Sequence, residues 1–320
     1  MQKINESVVL VGGGGGVYRV ARFLKHIRHN ITTIQTMFDH GGHSGRLRDE
    51  RGVLPPGDLR QAILALSDDS MESSLRALLS YRFPSNGSSI DSATMGNLML
   101  TAFADICGNP ITAIDTMCKI FGVRGKVLPV SLDDAELCAT LSDGSMVRGE
   151  GVIDTRSPND DRYIVSVSLE PEANMYIGAY EAIVKANKIV FCPGDLYTSI
   201  IPNILVTGFR DAIANSKAKL VYVTNLMTKK AETHGFSASK FVSTLLDHLK
   251  RDQFDVVICN TQPISYEMQS RYTEEQAVPV RFDKIELGKL AKQVVTGNLA
   301  DQTGTILRHS AKVASFIAQI

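Results

Sequence analysis

Five consecutive glycines, from Gly12 to Gly16, constrain the fold of this 320-residue chain more than any other feature. They follow a short β-branched run, Val8 to Val11, that is typical of a fully buried strand. From Val17 to His29 the apolar residues recur at helical spacing, and Ile31 to Phe38 is β-branched again. The order strand, glycine loop, helix, strand predicts a βαβ unit with a right-handed crossover.

A glycine loop at the end of a strand is well suited to hold phosphate groups. Glycine lets the backbone come close to a ligand and point its N–H groups at an anion, and the following helix adds its positive end. The loop is not a Walker motif, and Val17 stands where a dinucleotide fingerprint has its last glycine. A tight turn without a ligand is the alternative. We predict that Gly12, Gly13, Gly14 and Gly15 bind the phosphates of a nucleotide-type ligand.

The same alternation of strands and helices returns in the second half of the chain. Strands are predicted at Lys188 to Cys192, Leu220 to Thr224 and Val256 to Asn260, and Asp143-Gly144 marks a hairpin between shorter strands. We therefore predict an α/β, Rossmann-like, mostly parallel sheet with helices on both faces. The chain would form a single domain, 1–320, with a small antiparallel β insertion at about 125–170. The ligand crevice of such sheets lies at the carboxyl ends of the strands.

A second candidate site is the segment from Asp39 to Pro56, which is rich in Gly, Arg and Asp and is predicted to be a long loop. Asp39 offers a carboxylate for a divalent cation or for a proton. Arginines pair with phosphate oxygens, although a solvated loop face is the alternative here. The other candidate ligand-binding residues of this segment are Gly41, Gly42, Ser44, Arg46 and Arg48.

Further candidates follow two other strands or begin helices. Asp58 lies near a helix start, where capping is as good an explanation as catalysis. Asn97 follows a glycine at another helix start, and Asn225 at a strand end offers an amide for a base or a sugar. Gly194, Thr198 and Ser199 form a third phosphate-binding candidate at a strand end.

The bulk composition excludes several functional classes. Thirty-four basic and thirty-four acidic residues cancel, which argues against non-specific nucleic-acid binding. The five cysteines form no CxxC pair, so we expect reduced thiols. The chain has no N-terminal signal segment and no apolar run of the ~20 residues that span a bilayer. We expect a soluble, cytoplasmic protein without membrane insertion.

Taken together, these motifs resemble the CofD-like family, and within it the gluconeogenesis-factor branch. The resemblance rests on the order and spacing of motifs between residue 8 and about 260. These are Gly12 to Gly14, Asp39 to Arg48, Pro55-Pro56-Gly57-Asp58, Gly96-Asn97, Pro193 to Ser199 with Pro202-Asn203, and Asn225 to Thr228.

The resemblance implies a Rossmann-like fold and one of two functions. The gluconeogenesis-factor branch is similar to a nucleotide-sugar-binding regulator, linked to UDP-N-acetylglucosamine, cell-wall synthesis, cell shape and growth on gluconeogenic carbon sources. The CofD branch consists of 2-phospho-L-lactate transferases that act on a deazaflavin with a divalent cation. A transferase would use Asp39 to hold Mg²⁺ and Asp58 to assist.

Three departures from the family pattern favour a binding protein over an enzyme. The family has Thr or Ser where this chain has Gly15, a second aspartate where it has His40, and Gly-His where it has Asp91-Ser92. A lost carboxylate weakens a cation site, whereas backbone N–H groups still hold phosphate. The resemblance leaves homo-oligomers and regulatory protein partners open.

Overall fold

Seven parallel strands form the main sheet of the computed structural model, which describes residues 6–27, 30–70, 73–85, 87, 90–157 and 159–320. The strands of the chain are β1 Val8–Gly12, β2 Ile31–Gln35, β3 Lys126–Pro129, β4 Glu136–Leu141, β5 Met146–Arg148, β6 Ile164–Glu170, β7 Lys188–Phe191, β8 Lys219–Val223, β9 Phe254–Asn260, β10 Ala291–Gly297, β11 Ala300–Asp301 and β12 Arg308–His309. The main sheet has the order β10-β9-β8-β7-β1-β2-β3.

Helices connect these strands. They are α1 Gly14–Leu24, α2 Gly42–Arg51, α3 Pro56–Leu66, α4 Ser73–Ser80, α5 Met95–Cys107, α6 Pro110–Ile120, α7 Glu150–Asp154, α8 Ile177–Val184, α9 Ile201–Leu205, α10 Phe209–Asn215, α11 Lys230–Thr233, α12 Ala238–Leu249, α13 Tyr266–Ser270, α14 Lys284–Leu290 and α15 Lys312–Gln319, with a π-helical turn at Leu196–Ile200 before α9. In the described part of the chain, no helix is long and apolar enough to cross a membrane.

The strand order confirms the Rossmann-like prediction. The chain builds outward from β1 to β2 and β3, then returns to β7 on the other side of β1 and continues to β10. Every residue of β1, β2 and β7 is buried, as expected for strands covered on both faces. The reversal places the switch point of the sheet between β1 and β7, where such folds bind ligands.

A separate antiparallel sheet of order β5-β4-β6 is inserted between β3 and β7. Residues Asp143 and Gly144 form its predicted hairpin turn, with Gly144 at φ +82° and the Asp143 carboxylate accepting a hydrogen bond from the backbone of Ser145 at 2.9 Å. The insertion begins later than predicted, because the strand Lys126–Pro129 pairs with β2 at the edge of the main sheet.

Two predictions of local structure are wrong. The segment from Asp39 to Pro56 is not a long loop, because it contains the helix α2, which buries Leu47 and ends at Gly52 in the left-handed conformation. Strand β10 had not been predicted at all. Most of its side chains are only partly covered at the edge of the sheet, so it carries no apolar run.

The last part of the chain runs from the carboxyl end of the sheet to its amino end. Strands β11 and β12 form a short antiparallel pair, called here the C-terminal hairpin, and His309 lies 3.0 Å from the carbonyl oxygen of Thr224 at the carboxyl end. A small apolar cluster packs the hairpin against α13, and its buried members are Leu226, Ile264, Met268, Ala300 and Leu307. Helix α15 packs against α1 and ends where Lys219, the first residue of β8, donates to the carbonyl of Ile320.

Candidate functional site

A cavity of about 550 Å³ lies at the switch point of the sheet, and we call it the switch-point cavity. Its inner wall consists of the backbone of Gly15 and Gly16 after β1 and of Pro193 to Asp195 after β7. Asn225 and Leu226, which follow β8, extend the same wall. The volume falls within the range of about 300–1,000 Å³ that small-molecule sites occupy.

Three arginines line this cavity. Arg19 and Arg22 project from α1, one turn after the glycine loop, and Arg308 belongs to the C-terminal hairpin. Arg19 is held by an ion pair with Asp301 at 2.7 Å. Arg22 donates a hydrogen bond to the hydroxyl of Tyr18 at 3.1 Å. Arg308 is exposed and takes part in no ion pair among the described residues, so its charge faces the cavity unneutralised.

The glycine loop is packed so tightly that its glycines are required. A Cβ atom at Gly16 would overlap the carbonyl oxygen of Pro193. One at Gly13 would lie 2.9 Å from Thr36 and 2.5 Å from the carboxylate of Asp58. At Gly15, by contrast, a Cβ would meet no atom within 4 Å, so this position opens onto the cavity and has room for a side chain.

The carboxylate of Asp58 lies at the amino end of α1. Its carboxylate accepts a hydrogen bond from the backbone N–H of Gly14, which is one of the donors that a bound phosphate would use. Burial, together with the nearby charge of Asp39, raises the pKa of Asp58 to about 7. At neutral pH this group is therefore close to half-protonated beside the glycine loop.

Asp39 and Glu150 form a second acidic feature, called here the carboxyl pair. Glu150 donates a hydrogen bond to Asp39, and burial with the charges of Asp39 and Asp154 raises the pKa of Glu150 to about 9. Burial also raises the pKa of Asp39, although the N–H of Gly41 donates to its Oδ1 at 2.6 Å. The pair therefore holds a proton at neutral pH, and a divalent cation could take that proton's place.

A third acidic feature surrounds Lys229 and is called here the lysine cluster. Asp154, Asp195 and Glu232 place carboxylate oxygens within 4.8 Å of one another, which is the spacing of a metal site. The Lys229 ammonium already pairs with all three, at 2.9 Å from Asp195 and 3.8 Å from Glu232. Burial lowers the pKa of Lys229, but these carboxylates raise it by more, so the pKa of Lys229 lies above its ordinary value. A metal ion here would have to displace Lys229, and Asp39 is not a member of the group.

Comparison with known proteins gives the family. The model of the family described as 2-phospho-L-lactate transferase CofD matches residues 8–300. This chain belongs to the CofD family.

Two gluconeogenesis factors match along nearly their whole length. The gluconeogenesis factor of Halalkalibacterium halodurans is 38% identical over 311 residues, covering 97% of this chain and 94% of that protein. The gluconeogenesis factor of Bacillus subtilis is 36% identical over 315 residues, covering 98% and 97%. A crystal structure of a Bacillus halodurans protein superimposes with a TM-score of 0.90 at 36% identity, covering 99% of this chain and 100% of that one.

Some of the predicted site residues of this CofD-family member line the switch-point cavity, and the others lie behind its wall or away from it. Gly15, Gly194 and Asn225 line the cavity. The Asn225 amide is engaged with the backbone of Gly194, donating to its carbonyl at 2.7 Å and accepting from its N–H at 3.3 Å. Asn225 thus fixes the strand end that forms the wall. Its contact with a ligand stays a prediction.

Thr198 and Ser199 lie behind the wall. The Thr198 hydroxyl donates to Glu232 at 2.8 Å and is buried, so it is already satisfied by the lysine cluster. Ser199 packs against the glycine loop, with its Cβ 3.4 Å from the position that a Cβ on Gly13 would take. Their predicted role at the phosphates is untested.

The residues predicted around α2 lie away from the cavity walls. Buried Arg48 pairs with Asp134, donates to the carbonyl of Ala135 at 2.9 Å and contacts His40. Arg46 is exposed and pairs with Glu50 one turn on, at 3.5 Å. The position of Arg48 fits support of the β insertion, and the phosphate contacts predicted for Arg46 and Arg48 stay predictions.

Ser44 and Asn97 form an internal network instead. The Asn97 amide donates to the Ser44 hydroxyl at 3.2 Å and accepts from Arg60 at 2.9 Å. Gly41 and Gly42 begin α2, with Gly42 at φ +52°. The ligand contacts predicted for these four positions remain predictions.

Sequence reasoning missed most of the cavity's polar side chains. Tyr18, Arg19 and Arg22 had a usable signal, because they share the polar face of the helix that follows the glycine loop. Tyr272 and Arg308 had none, because one follows α13 and the other begins β12, and both line the cavity only through tertiary packing. The match to the CofD model ends at residue 300, so residues 306–309 of the cavity wall lie beyond it.

Proposed function

We propose that this CofD-family member is a cytoplasmic regulator that binds a nucleotide sugar of the UDP-N-acetylglucosamine type in the switch-point cavity. The observation that carries the proposal is the meeting of the Gly15 backbone with Arg19, Arg22 and Arg308 around one cavity. Charge-assisted bonds from arginine and backbone N–H groups are the usual means of holding a diphosphate. Relatives named gluconeogenesis factor support a link to growth on gluconeogenic carbon sources.

The aromatic residues of the cavity suit the rest of such a ligand. Tyr18 and Tyr272 lie in its walls and offer rings on which a base can stack. The bound state would be the signal that regulates cell-wall synthesis and cell shape, through a regulatory protein partner or a homo-oligomer. This role requires binding of the nucleotide sugar and no reaction.

Isothermal calorimetry with UDP-N-acetylglucosamine tests the proposal. The Arg308→Ala variant should bind at least about tenfold more weakly, because a hydrogen bond to a charged group contributes about 1.5–3 kcal/mol. Arg251→Ala is the matched control, since this exposed arginine lies outside the cavity and should leave the affinity unchanged. The proposal fails if no heat is detected at millimolar ligand, or if Arg308→Ala binds as well as the parent.

The carboxyl pair supports a second candidate, a CofD-like transferase. Its motivating observation is the proton held between Asp39 and Glu150, which Mg²⁺ could replace with Asp39 as ligand. Asp58, with its pKa near 7, could then exchange a proton close to the glycine loop. This candidate predicts turnover of a deazaflavin with an activated phospholactate donor that requires Mg²⁺. Undiminished turnover in Asp39→Asn would reject the assigned role.

A further inference from the structure

A second and larger hollow lies on the other side of the lysine cluster. Its volume is about 700 Å³, and it runs between strand β6 and helix α12. Tyr163, Ile164 and Val165 form one wall, while Lys240, Thr244 and Asp247 form the other from a single face of the helix. We call it the β6–α12 groove. It shares Asp247 and His248 with an adjoining hollow of about 230 Å³, so it continues past the end of α12.

The strand wall of the groove has an open edge. In the sheet of order β5-β4-β6, strand β6 pairs with β4 alone, along residues 164–170. Tyr163, just before the strand, and Val165 within it are apolar yet face solvent, with 67% and 59% of their surface exposed. An unpaired edge of this kind is a template for another strand, and a groove between an edge strand and a helix is a recurring way to bind an extended peptide.

The charges along the groove select the kind of peptide. Most of its acidic groups are already neutralised within the protein: Asp160 pairs with Arg162, and Asp161 pairs with Lys230. Glu232, at the groove floor, is buried and pairs with Lys229.

Three exposed cations along α12 and beyond its end are, by contrast, uncommitted. Within the described residues Lys240 in the groove, and Arg210 and Lys250 in the adjoining hollow, take part in no ion pair, and Asp247 is the one exposed carboxylate lining the two hollows that also lacks one. Lys240 instead lies over the ring of Phe236, with Nζ 5.7 Å from its centroid. Three unpaired cations against one anion give the groove and the adjoining hollow together a positive balance, which complements an acidic segment.

We propose that the β6–α12 groove is a docking site for an extended, acidic segment of a partner protein, which adds to β6 as a further strand. Backbone hydrogen bonds to the edge of β6 would give affinity. The apolar side chains of the segment would lie against Tyr163 and Val165, and its carboxylates would meet Lys240 and the cations beyond α12. This surface is separate from the switch-point cavity, so it stands independently of the nucleotide-sugar proposal.

Fluorescence anisotropy with labelled synthetic peptides tests the site on the full chain. The probe is an eight-residue peptide that alternates valine and glutamate. The controls are the same peptide with lysine for glutamate, and one with a central proline that cannot pair as a strand. Only the first should bind. Tight binding of the lysine peptide or of the proline peptide would overturn the proposal, as would no binding of the acidic peptide at millimolar concentration.

Two variants and a matched control locate the binding. Lys240→Glu and Val165→Glu should each weaken the acidic peptide at least fivefold, since the first reverses a charge of the groove and the second replaces an apolar contact with a charge that repels glutamate. Lys119→Glu, an exposed lysine on α6, should bind as the parent does. Equal affinity of all three variants would place the peptide elsewhere.

Sedimentation of the chain alone decides between a partner and a second copy. If a dimer forms that Val165→Glu dissociates, the occupant of the edge is another copy of this chain, and the proposal of a partner segment is wrong. Unchanged thermal unfolding of each variant shows that the surface and not the fold was altered.

Discussion

At the scale of one residue, Asp58 should make ligand binding at the proposed site depend on pH. Its carboxylate accepts the Gly14 N–H that a phosphate would use, and its charge opposes a bound diphosphate. With a pKa of about 7, Asp58 is mostly protonated at pH 6 and mostly charged at pH 8. We therefore expect the affinity for UDP-N-acetylglucosamine to fall severalfold from pH 6 to pH 8, which calorimetry at several pH values measures.

The Asp58→Asn variant separates this effect from other titrations. Asparagine keeps the size of the side chain and an oxygen for the Gly14 N–H but removes the charge. The variant should bind at pH 8 about as tightly as at pH 6, since the diphosphate diester itself keeps its charge over this range. A pH dependence that survives in Asp58→Asn would assign it to another group.

The role of a residue was easier to predict from the sequence where its type serves few purposes, as glycine does in a phosphate loop. Gly15 was expected at a phosphate loop, and it opens onto the cavity. Arg48 was expected at phosphate too, yet it is buried against Asp134, because an arginine serves an internal ion pair as well as a ligand. Glu150 could not be found from the sequence, since its pairing with Asp39 joins segments more than a hundred positions apart.

At the scale of elements, the C-terminal hairpin is the part that closes the switch-point cavity. The hydroxyl of Tyr272 accepts a hydrogen bond from the Leu307 N–H at 2.8 Å, and the Arg19–Asp301 ion pair ties the hairpin to α1. In Tyr272→Phe the Leu307 N–H loses its partner, so the hairpin should open more often. We expect faster amide exchange at Leu307 and severalfold weaker nucleotide-sugar binding, with little change in global stability.

Tyr266→Phe is the matched control for the hairpin. Tyr266 is 88% exposed on the neighbouring helix α13, so its hydroxyl should be dispensable. If amide exchange at Leu307 and ligand affinity respond equally to both substitutions, the tether from Tyr272 does not hold the hairpin in place.

Secondary structure was predicted correctly where burial produces a recognisable pattern of apolar residues in the sequence. The strands beside the switch point, β1, β2 and β7, are buried on both faces and appear as apolar runs. Helix α2 was taken for a loop because it is almost wholly polar and buries few side chains, Leu47 among them. Its helical state depends on tertiary contacts, which a local pattern does not contain.

At the scale of the whole molecule, the fold was predictable but the cavity was not. A parallel sheet follows from the βαβ rhythm, and its ligand end follows from the parallel direction of the strands. The walls of the cavity come from α1, from strand ends far apart in sequence and from the hairpin after residue 300. Their meeting is a property of packing, so the sequence indicated the phosphate loop and the strand ends at Gly194 and Asn225, but not the wall that the hairpin supplies.

The buried acids give the molecule a pH-dependent stability whose sign follows from their pKa values. Asp58, Glu232 and Glu150 have pKa values raised by burial to about 7, 8 and 9. The folded state holds their protons at pH values where the unfolded chain has lost them, so the free energy of unfolding falls as pH rises toward 9. Burial lowers the pKa of His309 to about 4, so between pH 4 and 6.5 this one group acts in the opposite direction and offsets part of the effect of the three acids.

We therefore expect stability to fall as pH rises from about 5 to 9, most steeply below pH 7 where all three acids differ in protonation between the two states, as measured by urea unfolding followed by circular dichroism. Each buried acid contributes up to about 1.4 kcal/mol per pH unit while its protonation differs between the two states. Glu150→Gln keeps a donor for Asp39 but removes one titrating group, so its loss between pH 7 and pH 9 should be visibly shallower. The exposed carboxylate of Glu172 supplies the control, because Glu172→Gln should follow the parent curve. Stability that is constant from pH 7 to pH 9, or an unchanged slope in Glu150→Gln, would show that the carboxyl pair does not hold its proton in the folded protein.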